Sequence, residues 1–115
     1  MATMLLMFGA VNAQIADIEV RGQWIYVYGE NNKQLCSTTI SSDASLKGYC
    51  SSFYVIREGQ WLYTKDSNCE TINSMTISSD AIVRGVAGKS FTIKEGQWIY
   101  TYDKNCNQLS SRTGN

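Results

Sequence analysis

Histidine and proline are both absent from this sequence of 115 residues. The first absence removes the usual general base near neutral pH and the commonest imidazole ligand for a metal. The second leaves chain reversal to glycine, asparagine, aspartate and serine. Charge of one sign is missing too: ten basic and ten acidic residues cancel, with no run of like charge. A phosphate backbone would find no electrostatic footprint here, and nucleic acid is excluded as an expected partner. No stretch approaches the ~20 apolar residues of a spanning helix, so no stable membrane span is expected.

The opening residues, MATMLLMFGAVNAQ, carry no charged side chain and hold an apolar run from Met4 to Val11. Val11 and Ala13 suit the small-residue cleavage site of an export signal, although the positively charged leader is missing. The other reading is an apolar first strand. Residues 1–13 are therefore set apart as a leader remnant or N-terminal strand, and 14–115 as a single all-β repeat domain. The expected location is secreted or periplasmic.

What the sequence does contain is repetition. Trp24, Trp61 and Trp98 recur at a constant spacing of 37 in RGQWIYVYGENN, EGQWLYTKDSNC and EGQWIYTYDKNC, and ISSDA returns whole at Ile40 and Ile77. A repeat of this length is one supersecondary unit used again. Within each copy the apolar period is two: Trp24, Tyr26 and Tyr28 fall on one face of a strand, Ile25 and Val27 on the other. A polar turn follows, with Asn31, Asn68 and Asn105 at the place where a left-handed residue is needed. A Thr/Ser-rich second strand comes next. The segments SDASLKG and SDAIVRG read as a longer connection ending in glycine, and SSFYVIR and KSFTIK as a third strand that Glu-Gly returns to the tryptophan strand.

Short connections make sequence neighbours pair antiparallel. The expected fold is all-β: three 37-residue repeats, each an antiparallel three-stranded meander, closing into one pseudo-threefold barrel or prism-like domain. A β-trefoil and a stacked β-solenoid are the alternatives, and a propeller of four or more blades exceeds the chain's length unless chains associate.

Four cysteines, Cys36, Cys50, Cys69 and Cys106, allow three pairings, and disulfides are expected of an exported chain. A bridge between Cys36 and Cys50 would join consecutive strands. A bridge between Cys69 and Cys106 would join equivalent turns, given a Cα separation within about 7 Å. Without a Cys-x-x-Cys pair or histidine, no metal site is expected.

The sharpest candidates for function are Trp24, Tyr26, Trp61, Tyr63, Trp98 and Tyr100 with the turn residues Asn31, Asn68 and Asn105. Flat aromatic faces beside amides and carboxylates are what sugar rings stack on and bond to. Interior packing is the competing reading and is placed first, because the opposite face, with Ile25, Leu62 and Ile99, is smaller and more mixed. The repeated Ser-Ser-Asp lacks a base and reads as turn chemistry. No catalytic residue and no cofactor is expected. The thrice-used Gly-Gln-Trp is similar over three positions to the Gln-x-Trp signature of ricin-type trefoil lectins; here Gln and Trp adjoin, so the register differs and membership is not implied.

These readings point to a non-enzymatic exported binding module for glycan or cell-surface material. The alternative is a structural, self-assembling protein whose apolar strand faces mediate homo-oligomer or filament contacts.

Overall fold

The architecture grows from one hairpin made three times. Arg21 pairs with Trp24, Glu58 with Trp61 and Glu95 with Trp98, each across a two-residue Gly-Gln loop. Gly22, Gly59 and Gly96 hold φ of 59°, 60° and 62°, the left-handed start that such a tight loop demands. In this computed structural model, which describes residues 13–114, these hairpins lie at the heart of three antiparallel sheets. The leader-or-strand question for residues 1–13 falls, Ala13 apart, outside the described residues.

The first sheet holds β1 (Asp17–Arg21), β2 (Trp24–Tyr28) and β3 (Gln34–Thr39). The second holds β4 (Ala44–Tyr49), β5 (Tyr54–Glu58), β6 (Trp61–Lys65) and β7 (Thr71–Thr76). The third holds β8 (Ile82–Ala87), β9 (Ser90–Glu95), β10 (Trp98–Asp103) and β11 (Gln108–Thr113). Strands follow one another in sequence order within each sheet, as short connections require.

Two expectations are corrected. Every described strand pairs inside its own sheet, so the sheets do not merge into a closed barrel or prism, nor into a ladder running from repeat to repeat. The segments read as long connections are strands β4 and β8, which makes these two sheets four-stranded. Both strands carry a register shift beside an internal glycine, at Leu46/Gly48 and Val83/Gly85. A glycine inside a bulged strand weakens its sequence signature. Gly48, at φ 156°, is also a point of close approach: a Cβ there would lie 2.9 Å from Val86 Cγ2 of β8.

The sheets pack face against face through two apolar clusters. Ile18, Ile25 and Val27 of the first sheet meet Tyr54 and Ile56 of the second. From its other side the second sheet sends Val55 and Leu62 against Phe91 and Ile93 of the third. Phe53 and Phe91 meet edge to face at 6.2 Å and 63°, a favoured aromatic geometry. Ile25 and Leu62 of the tryptophan strands thus face into the stack.

The turns after β6 and β10 are built by aspartate. Asp66 Oδ1 accepts from the backbone N–H of Asn68 and Glu70 at 2.9 and 3.0 Å, and Asp103 Oδ1 accepts likewise from Asn105 and Asn107 at the same distances. This places the left-handed residue one position later than expected, at Cys69 (φ 65°) and Cys106 (φ 63°) rather than Asn68 and Asn105. In the first sheet Gly29 stands in the aspartate's place, the turn becomes a short 3-10 segment, Glu30–Asn32, and Asn31 and Asn32 are both left-handed. The Ser-Ser-Asp segments fix bends: Ser41 Oγ donates to Asp43 at 2.7 Å and Ser78 Oγ to Asp80 at 2.8 Å.

The disulfide joins Cys36 to Cys69, with Cα atoms 6.1 Å apart, while Cys50 and Cys106 are free and half-buried. Both pairings considered from sequence are overturned. Stacking sets the first sheet's β3 against the turn of the second, so partners come from unlike positions of adjacent sheets. Burial, with a smaller contribution from the Asp103 charge, pushes the Cys106 thiol up, against an opposing hydrogen bond with Thr64.

Candidate functional site

Each tryptophan opens its strand beside the Gly-Gln loop, at the margin of the sheet stack, and this position decides its exposure. Trp24, Trp61 and Trp98 are each 47% exposed. The packing reading placed first for them is therefore corrected: the stack buries the alternate residues Ile25 and Leu62 instead, and Ile99, on the third sheet's outer face, is buried against Gly114.

The indoles do not stand alone. Trp24 lies 6.2 Å from Tyr26 with planes at 22°, and Trp61 lies 6.3 Å from Tyr63 at 20°. In the third sheet Tyr100 tilts against Tyr102 at 6.4 Å and 42°. Cross-strand register sets Trp24 opposite Arg21 and Thr39, Trp61 opposite Glu58 and Thr76, and Trp98 opposite Glu95 and Thr113. Directly opposed residues share a face. Each sheet thus displays a row of a charged group, an indole and a threonine hydroxyl.

Sequence reasoning reads Thr38, Thr39, Thr76 and Thr113 as a polar strand series but does not place them beside the indoles. Thr39, Thr76 and Thr113 recur with the tryptophans' own period, and that recurrence was the signal available. Glu58 and Glu95 also hold the chain: Ser41 Oγ, whose one proton is shared with Asp43, lies 2.8 Å from Glu58 Oε2, and the Ser78 N–H donates to Glu95 at 2.9 Å. Asn31, Asn68 and Asn105 are not brought to the aromatic rows. They sit at the far end of the tryptophan strand, on the order of 15 Å away at the usual rise per residue.

Charge lies close to the rings. The Arg21 guanidinium is 4.5 Å from the Tyr26 centroid, and Lys65 Nζ is 5.7 Å from that of Tyr63. Arg21 also donates to Glu19 at 2.8 Å, and this bond, with the Glu19 charge, raises its already high pKa.

Between the first two sheets, beside Tyr63, runs a groove of about 170 Å³. Thr38, Thr39, Ser41, Glu58, Tyr63 and Lys65 contribute polar groups to it, and Tyr54 lines it as well. The Tyr54 hydroxyl is buried and has no hydrogen-bond partner among the described residues, and burial, then the Asp66 charge, pushes its pKa up to about 12. One repeat on, the equivalent residue is Phe91, which fits its slot with no hydroxyl to satisfy. An unpaired buried hydroxyl costs about 1–3 kcal/mol. Among the described residues no group of three His, Cys, Asp or Glu gathers to hold a metal.

No family model matches this sequence, and no curated protein does either. The fold is nevertheless shared. Hsv2 of Kluyveromyces lactis, a β-propeller-type yeast protein, superposes with a TM-score of 0.56 at 11% identity over 88% of this chain and 33% of its own. A form of that protein with loop 6CD replaced by a Gly-Ser linker gives 0.53 at 12% identity, over 88% of this chain and 40% of its own. This chain spans only a third or so of those proteins. Its three face-packed sheets match a sector of a β-propeller-type fold, which accounts for the absence of a closed barrel. Among the described residues no helix is long and apolar enough to cross a membrane.

Proposed function

We propose that the chain is a non-enzymatic binding module of an exported protein, which holds glycan or other cell-surface material on its repeated aromatic rows. The observation that carries this reading is the equal exposure, 47%, of Trp24, Trp61 and Trp98 at repeat-equivalent positions. Half-exposed indoles beside threonine hydroxyls offer a sugar its two needs, an apolar platform for the C–H face and hydrogen bonds at the ring's edge. Repetition multiplies weak sites into useful avidity. A groove lined by Tyr63, with the unpaired Tyr54 hydroxyl, adds polar contacts beside the second row. Export is supported by the Cys36–Cys69 disulfide, a bond that oxidising compartments favour.

The test is a glycan array probed with the unaltered chain and with Trp61→Ala. Retention of a glycan class, weakened about tenfold or more by the substitution, is the expected result, since tenfold corresponds to ~1.4 kcal/mol. An array on which the unaltered chain holds nothing overturns it.

A further inference from the structure

The stack has a direction. Each sheet offers one face built around Ile25, Leu62 or Ile99 and a different face built around the β1, β5 or β9 residues that meet the previous sheet. Within the chain the Leu62 face of the second sheet receives Phe91 and Ile93 of the third, with Val55 and Met75 in the same cluster. Two unlike faces remain without a sheet on them among the described residues. The third sheet's free face carries Thr92, Ile99 and Arg112 around a groove of about 330 Å³ that Arg84 and Val86 also line. The first sheet's free face carries Glu19, exposed and paired with Arg21 at 2.8 Å, and at its edge Asp17, exposed, whose carboxylate accepts from the Tyr49 hydroxyl of the second sheet at 3.2 Å.

Repeat register makes these two faces counterparts. Asp17 occupies the position of Tyr54 and Phe91, and Glu19 that of Ile56 and Ile93. On the other face Arg112 occupies the position of Met75, and Thr92 that of Val55. The apolar groups that join the second sheet to the third are thus replaced, on one free face, by carboxylates and, on the other, by a guanidinium. The second sheet keeps these faces apart within one chain.

We propose that they meet between copies: the Asp17 and Glu19 face of one chain docks on the Arg112 and Ile99 face of a second copy, continuing the internal stack. Unlike faces joined head to tail close into a ring where the rotation between sheets fits and otherwise grow an open filament. Here two copies close a ring of six sheets. Opposite charges at the seam steer the encounter and make it sensitive to salt. The internal joints also give the contacts in register. Thr64 Oγ1 donates to the Lys104 carbonyl at 2.6 Å, which maps Thr101 onto Glu30 of the other copy. The Cys36–Cys69 bond maps Ser110 onto Asn32, whose φ of 61° matches the 65° of Cys69.

Light scattering on the purified chain tests the proposal. The expected mass is twice 12.9 kDa, falling to the monomer at high salt. Arg112→Glu and Glu19→Arg each give the monomer alone, and the two together in one chain restore the dimer. With Cys50→Ser and Cys106→Asn removing the free thiols, Asn32→Cys combined with Ser110→Cys yields a covalent dimer on oxidation. A chain that stays monomeric at its highest soluble concentration overturns the proposal, as does a dimer indifferent to Arg112→Glu or one that the cysteine pair fails to trap. None of these measurements depends on glycan retention.

Discussion

Asn73 Nδ2 donates to the carbonyl of Asn105 at 2.7 Å, at the place where, one repeat earlier, Cys36 is bonded to Cys69. Position 73 is the counterpart of 36, and Cys106 that of Cys69. The same joint between sheets is therefore closed once covalently and once by a hydrogen bond, with a free thiol waiting beside the latter. Asn73→Cys is expected to form a second disulfide with Cys106. Intact mass after oxidation will be two hydrogens lighter, and stability will rise by about 2–4 kcal/mol, as for loops of this kind.

Tyr54→Phe is expected to leave the fold intact and to hold or raise stability by about 1 kcal/mol, since Phe91 already fills the equivalent slot. In the unaltered chain the folded state keeps the phenol protonated up to about pH 12 against an ordinary value of 10.0. Its contribution is whole below pH 10 and is lost as pH climbs toward 12, because the unfolded chain gives up the proton first. Denaturant titrations across that window will show a steeper alkaline loss for the unaltered protein than for the variant.

Leu62→Ala and Trp61→Ala, adjacent in sequence, are expected to behave very differently. Leu62 is fully buried between the second and third sheets, and its truncation will cost about 2–5 kcal/mol. Trp61, half exposed, will cost less than about 1.5 kcal/mol. Equal losses in chemical denaturation would reverse the assignment of the two faces.

Gly48→Ala forces a Cβ to within 2.9 Å of Val86 Cγ2 at a φ of 156°, and about 1–3 kcal/mol of stability is expected to be lost. Gly85→Ala, with open space around the new methyl, serves as the matched control and will be tolerated. Thermal melts of the pair separate crowding from any general cost of alanine in a bulged strand.

The parts of this molecule that sequence made legible are those where local chemistry decides. Alternation in WIYVY and WLYTK identified the tryptophan strands, and Gly22, Gly59 and Gly96 marked their hairpins. The rest depends on what stacks against what. Trp61 and Leu62 are equally good interior residues by type; only the margin position of Trp61 exposes it. Strands β4 and β8 were hidden by Gly48 and Gly85, which read as punctuation and in fact admit a bulge and, at Gly48, a neighbouring strand. The Cys36–Cys69 bond was unreadable because its partners come from different sheets. The threonines opposite the tryptophans carried the visible period but no marker of their role.

The Arg57 guanidinium donates to the carbonyls of Ser78 and Ser79 at 3.3 Å, and to those of Ala81 and Gly59. It thereby clasps the connector leading into the third sheet. Its counterpart beside the earlier connector is Val20, which has nothing to clasp with. A reductant would accordingly loosen the molecule asymmetrically: the N-terminal sheet could swing away while the other two remained locked as a unit, and early amide exchange would be confined to that one hinge.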